Sequence, residues 1–307
     1  MKFSFSNEQE QFRTMLRRFL TEKSPTTEIR RLMATDDGWE RDSWRKLNAD
    51  LGLSAVHIPE AYGGQGFGFV ELGIVLEEMG RALLCGPYFS SVVLAANAIL
   101  NAGSEDQKQA LLPGIASGET VAALAFTEEN GRWDSNGVTM TAAQAGSGYR
   151  LNGVKSFVLD GHTADLIVVL ARKAGTSGDD GLSFFTVRAE AGGLTRRLLK
   201  SVDATRKLAM LTFTAVEAEL LGEAGTAAAP FARTLDQAAV CLANEMVGGA
   251  DRLRQSALEY VLMRMQFGRP VGSFQAVKHK CADMLVDVEL AKSAAYYAAE
   301  AAAEGVR

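Results

Sequence analysis

Two groups of residues in this 307-residue chain have types and spacings suited to chemistry. The first is Arg264 with Phe267 and Gln275, in the stretch RMQFGRPVGSFQAVKHKCADML. A helix hairpin needs a turn such as F-G-R-P-V-G, but it does not need those three side chains around it. A guanidinium binds paired anionic oxygens bidentately, which an ammonium does less well. The second is Glu245, in AAVCLANEMVGGADRL. At helical spacing it lies among Ala238, Cys241, Leu242, Gly248 and Gly249, on an apolar, small-residue face. A carboxylate there is costly unless it is paired or functional. The pairing reading gives it Arg252 two turns on, or a partner helix. The functional reading makes it a base, with the two glycines admitting a flat ligand. His57, His162 and His279 show no metal-ligand spacing, which argues against zinc and against any metal site. Cys85, Cys241 and Cys281 are isolated and read as reduced, buried thiols of a cytoplasmic protein.

The elements that must position these residues fall into three zones. From residue 5 to about 118 the pattern is helical, with Ser6 and Ser104 as N-caps and a Gly- and Pro-rich loop at Ile58–Gly68. From about 120 to 225, short apolar or alternating runs split by Gly, Asn and Asp read as strands, with AGSGYRLNG as a hairpin. From about 228 onward helix returns, rich in Ala and Leu. This order argues against alternating βαβ units and against a Rossmann sheet, and GGQGFG lacks the strand–helix context of a dinucleotide fingerprint. The length suits two or three packed subdomains. A net charge of −5 with no basic block argues against nucleic acid as a partner. The start has no apolar core of a signal peptide, and no run of about 18 apolar residues predicts a membrane span.

Five blocks, IPEAYGGQGFG, LPGIASGE, AFTEENGRWD, LNGVKSFVLDG and RMQFGRPVGSFQAVKHKCADM, stand in the order and spacing of the acyl-CoA dehydrogenase family. The chain resembles that family over essentially its whole length, and R-x-x-F-G-x-x-x-G-x-F-Q is a specific pattern. The resemblance implies an α+β fold: an N-terminal helical domain (1–119), a middle β-barrel-like domain (120–226) and a C-terminal helical bundle (227–307) without its usual last helices. It implies FAD as cofactor, an acyl-CoA substrate, an electron-transfer flavoprotein as partner, and a homo- or hetero-oligomer sharing its FAD sites.

The same resemblance assigns roles. Arg264 would meet the FAD pyrophosphate of a neighbouring subunit, with Phe267 and Gln275 on its adenine side and Gly268 and Gly272 allowing close backbone approach. The bland reading is a helix hairpin with a surface arginine. Phe126 and Thr127 match flavin-contacting positions. Trp133 and Asp134 fall at the substrate-binding end of that loop, where Glu129 replaces a usual Pro and Arg132-Trp133 replace Gly-Ser. Trp133 is then either a substrate-facing aromatic or a core filler. Phe157 matches a ring that packs on the flavin, with a plain strand core residue as the alternative. Val158-Leu159 lacks the hydroxyl that commonly follows.

The usual base of the family lies in a segment beyond the one present here. In relatives that carry it earlier, the matching position falls near Ala238, which is no carboxylate, and Asp236 is on another face. Glu245 is therefore the candidate base, at a level where relatives acting on sterol-derived thioesters resemble this chain. The implied activity is α,β-dehydrogenation of an acyl-CoA to the 2-enoyl-CoA, in fatty acid or sterol side-chain degradation. The altered loop at Trp133 favours a bulky or branched acyl group. The alternatives are a non-catalytic partner subunit and a flavin monooxygenase or oxidase on the same fold.

Overall fold

The computed structural model describes residues 5–146 and 148–305. Ser147 in the expected hairpin turn, and Val306 and Arg307 at the expected end of the bundle, lie outside the described residues. The helices of the first zone are α1 (Asn7–Lys23), α2 (Thr26–Met33), α3 (Arg41–Leu51), α4 (Phe69–Ala82), α5 (Ala96–Ala102) and α6 (Glu105–Ala116). Both serine caps form complete capping boxes. Ser6 Oγ accepts from the Gln9 N–H while Gln9 Oε1 accepts from the Ser6 N–H, and Ser104 and Gln107 do the same.

SSVVLA does not begin a regular α-helix. Phe89–Ala95 is π-helical before α5 begins. Its serines are committed outward. Ser90 Oγ donates to Asp160 Oδ2 at 2.7 Å, and Ser91 Oγ donates to the Ala122 carbonyl at 3.0 Å. Such widened turns are rare and frequent at functional sites.

The middle of the chain gives β1 (Ala122–Ala125), β2 (Thr141–Ala145), β3 (Gly148–Leu159), β4 (Leu166–Lys173), β5 (Leu182–Arg188), β6 (Leu194–Leu199) and β7 (Leu208–Leu221). Pairing runs β4–β2–β3–β7–β5 and returns to β4, so the sheet closes on itself like a barrel, with β1 added on β4 and β6 on β7. Its interior is apolar: Leu151, Ile167, Val169, Phe185, Leu211 and Phe213 are buried together. The last zone is α7 (Ala228–Met263), a small hairpin of β8 (Met265–Gln266) and β9 (Arg269–Pro270), and α8 (Gln275–Ala303).

The chain divides into two compact units. One gathers the beginning of the chain up to Glu28, Gly68–Leu84, and everything from Ala239. Its helices approach closely because glycines face backbone. A Cβ on Gly248 of α7 would lie 1.8 Å from the Glu77 carbonyl oxygen, and one on Gly80 of α4 would lie 2.0 Å from that of Glu245. Two buried carboxylates on α4 are paired with α1: Glu77 with Arg13 at 3.2 Å, and Glu78 with Arg17 at 2.5 Å. Tyr296 of α8 also donates to Glu77 at 2.8 Å. Burial still holds the Glu77 carboxyl above its ordinary value, against the pull of Arg13 and Tyr296. The other unit comprises Ile29–Phe67 and Cys85–Ala238, with the closed sheet at its centre.

Candidate functional site

In the sheet-centred unit the structure brings together two of the predicted flavin-facing segments. Thr127 follows β1 and is buried. Its carbonyl accepts the Ser156 N–H of β3 at 2.9 Å, so Phe126–Thr127 and Ser156–Phe157 are fastened side by side. Phe157 is no strand core residue. In the β3–β7 ladder Lys155 pairs with Leu211 and Val158 with Ala209, so β3 carries one extra residue there. This bulge gives Phe157 a left-handed backbone, φ 58°, and leaves its ring 51% exposed. The alternative of a buried filler is thereby removed, because the bulge breaks the alternation that would have set its side.

Trp133 is not a core filler either. It is 66% exposed, and its ring meets the edge of the half-buried Phe126 at 6.3 Å between centroids. Phe126 in turn packs on Phe231 at 5.4 Å, and Phe231 on Phe184 at 6.4 Å. An aromatic series thus runs from the interior to an exposed indole. Asp134, expected on the substrate side, has local work. Its carboxylate accepts from Arg132 at 2.8 and 3.2 Å and from the Gly137 N–H at 3.2 Å, capping the short turn Ser135–Gly137. Arg132 holds this exposed carboxyl below its ordinary value.

In the other unit, Arg264, Phe267 and Gln275 cluster around the β8–β9 hairpin. The ladder pairs Met265 with Pro270 and Gln266 with Arg269, leaving Phe267–Gly268 as a two-residue turn. Both have left-handed backbones, φ 52° and 74°, as such a turn requires. Gly268 suits it; phenylalanine does not, yet Phe267 stands there 91% exposed. Arg264 follows α7 and is exposed, and its guanidinium makes no ion pair or side-chain hydrogen bond among the described residues. Gln275 is the exposed first residue of α8, whose N-cap, Phe274, supplies no side-chain hydrogen bond. Gly272 has a more local role than the expected approach to a cofactor. A Cβ there would lie 3.0 Å from the Val261 carbonyl oxygen, so it lets the turn pack on α7.

Glu245 lies half-buried on α7, facing Gly80 of α4. Cys241, one turn before it, is fully buried and its thiol is pushed up by burial. The expectation that Gly248 makes room for a flat ligand is corrected: that space is filled by the α4 backbone at Glu77. Arg252, the suggested pairing partner, reaches Glu259 at 3.8 Å. Ala238 is buried and offers no carboxylate.

Beneath the first segment lie two groups that residue types alone do not single out. Lys155 is completely buried and its Nζ lies 2.8 Å from Glu128 Oε1. The signal in the sequence is slight: a lysine after Val154 in a strand that also carries Arg150, Asn152 and Ser156.

These residues fit a dinucleotide cofactor. An exposed guanidinium with no internal partner and an uncapped helix start are suited to phosphate oxygens. Exposed rings at Phe157 and Phe267 are suited to flat heterocycles. No cluster of metal-ligating side chains occurs among the described residues, and no helix among them is long and apolar enough to cross a membrane.

Comparison with known proteins agrees with this reading of the fold. Models of the acyl-CoA dehydrogenase N-terminal, middle and C-terminal domains match residues 6–119, 123–216 and 223–307. An acyl-CoA dehydrogenase of Bacillus subtilis is 31% identical over 303 residues, covering 96% of this chain and 79% of the relative. Among solved structures, the steroid ACAD Tcur3481-Tcur3483 is 32% identical with a TM-score of 0.85, covering 97% of this chain and 79% of that one. The ChsE4-ChsE5 complex of Mycobacterium tuberculosis is 28% identical with a TM-score of 0.87, covering 99% and 80%.

Proposed function

Because the chain belongs to the acyl-CoA dehydrogenase family of FAD-dependent oxidoreductases, we propose that it takes part in the α,β-dehydrogenation of a bulky or branched acyl-CoA thioester. Its electrons would pass to an electron-transfer flavoprotein. The observation that carries this reading is the pair of exposed rings, Phe157 and Phe267. Each is held on a left-handed backbone that a bulky residue rarely adopts. Strain of this kind costs on the order of 1–3 kcal/mol per residue and persists at ligand sites. Folding alone gives no reason to spend it on rings that face solvent.

Arg264 would hold the pyrophosphate of FAD, with Phe267 and Gln275 beside the adenine. Phe126, Thr127 and Phe157 would line the flavin. FAD, when bound, supplies the acceptor for the β-hydride. The chain's remaining tasks are to orient the thioester, to exclude water, and to take the α-proton on the Glu245 carboxylate. A base in a water-poor pocket is suited to so weak an acid once the thioester carbonyl is polarised. Trp133, exposed at the end of the aromatic series, is placed to meet the acyl or CoA portion.

A second reading has its own support. By the resemblance, relatives that carry the base earlier have it near Ala238, and a hydroxyl commonly follows the ring at Phe157, where this chain has Val158-Leu159. Leu253, Leu262 and Met263 on α7, and Val286 and Leu290 on α8, are exposed. A subunit that lends Arg264 to the FAD of a sister chain would show these features. Solved heteromers among the relatives, such as ChsE4-ChsE5, make a mixed assembly a reasonable arrangement.

The visible spectrum of the purified protein separates the readings. Yellow protein bleached anaerobically by an acyl-CoA supports the dehydrogenase, and Glu245→Gln should then keep FAD but lose bleaching. Full bleaching in that variant removes Glu245 from the mechanism. Protein that turns yellow only when co-expressed with a homologous chain supports the partner subunit. Rapid reoxidation in air with peroxide or a hydroxylated product points to an oxidase or monooxygenase.

A further inference from the structure

We propose that Lys155, ion-paired with Glu128, is a positioning residue for the flavin-facing segments, fixing the Phe126–Thr127 backbone and the bulge that turns Phe157 outward. This rests on the reading of Phe126, Thr127 and Phe157 as cofactor contacts. Lys155 is fully buried, and its Nζ donates to Glu128 Oε1 at 2.8 Å and to the Phe126 carbonyl at 3.3 Å. The next residue, Ser156, gives its N–H to the Thr127 carbonyl at 2.9 Å. Two consecutive carbonyls of the first segment are thus tied to two consecutive residues of β3. Phe157, the residue after those, is the one the bulge turns out.

Glu128 is the anchor of this tie. It accepts from the Thr139 N–H at 2.9 and 3.0 Å, from the Met140 N–H at 2.9 Å, and from the Thr139 hydroxyl. Burial raises its carboxyl, but Lys155 and these donors outweigh burial and leave it below the ordinary value. Burial lowers the Lys155 ammonium to about 8, with Glu128 pulling it back up and Arg172 adding to the lowering. At neutral pH the pair is therefore charged. A buried ion pair contributes little net stability over an apolar pair of the same shape, yet removing one member is strongly destabilising. Its value here lies in geometry: an ammonium with two fixed acceptors holds a loop in one place.

The test uses the intact chain, or its complex with a sister chain if FAD is taken up only there. The proteins compared are the parent, Lys155→Met, and Lys155→Met with Glu128→Gln. Methionine keeps the length of the stem and removes the donor. The double variant removes both charges, so it keeps a folded reference if the single variant fails to fold. FAD binding is followed by flavin fluorescence and by the absorption spectrum of the bound flavin, with urea unfolding in parallel. The double variant should fold like the parent, bind FAD at least about tenfold more weakly, and show an altered flavin spectrum. The estimate takes one charge-assisted hydrogen bond at the low end of its usual range. FAD affinity and spectrum equal to the parent's in either folded variant would overturn the proposal. A parent that takes up no FAD, even beside a sister chain, removes the underlying reading and the proposal with it.

Discussion

Asp160→Asn should make this protein more stable at pH 8 and leave it unchanged near pH 4. Asp160 follows β3 with a left-handed backbone, φ 52°, which Asn tolerates as well as Asp. Its carboxyl is buried, and Ser90 Oγ donates to it at 2.7 Å. Burial raises it from 3.8 to about 6, despite Ser90 and the charge of Arg206. The protonated form is therefore the one the fold prefers. Below pH 3.8 both folded and unfolded chains are protonated and nothing is lost. Between 3.8 and about 6 the unfolded chain releases its proton first, so stability falls as pH rises. Above that window the full cost stands, about 3 kcal/mol at about 1.4 kcal/mol per tenfold change in proton affinity. Asparagine carries no such cost. Urea unfolding followed by circular dichroism, stepped from pH 4 to 8, should show the gap between variant and parent opening from near zero to about 3 kcal/mol. A constant offset at every pH would refute the argument, because it would mean that the carboxyl does not titrate in that window.

His57 should give the opposite slope. Burial lowers its ring from 6.5 to about 4, against the hydrogen bond with Asn97, so stability is fully present above 6.5 and is lost as pH falls towards 4. His57→Gln should remove that acid-side loss of about 3 kcal/mol in the same urea series. Gly248→Ala should destabilise by at least about 3 kcal/mol or prevent folding, since its Cβ would lie 1.8 Å from the Glu77 carbonyl oxygen. Gly73→Ala, whose Cβ would first meet the Asn244 side chain at 3.1 Å, should cost much less; thermal unfolding distinguishes them. Arg264→Ala should weaken FAD retention by about tenfold or more at unchanged thermal stability, and flavin content per chain after gel filtration checks it.

The sequence by itself determined what depends on neighbours along the chain. The capping boxes at Ser6 and Ser104, the run of α4, the Gly-rich loop after Ile58 and the change from helical to strand texture near residue 120 all follow from local spacing. So does family membership, because the five blocks keep their order whatever they touch. The F-G-R-P-V-G stretch reads as a turn, though nothing in it announces a strand pair closed by Phe267–Gly268.

Tertiary structure decided the rest, because the missing information lay in a partner distant along the chain. Leu194–Leu199 is a strand because β7 offers it an edge; its leucines and arginines alone did not say so. Phe157 faces outward because β3 holds one residue more than β7 requires, and a register exists only between two strands. Gly248 looked like room for a ligand until α4 filled the space. Lys155 and Glu128 stand 27 positions apart with nothing in the sequence to link them, and the fold joins them in one buried ion pair. A charge, a glycine or an aromatic ring has no fixed meaning until its distant neighbour is known, and only the closed sheet and the packed helices supply that neighbour.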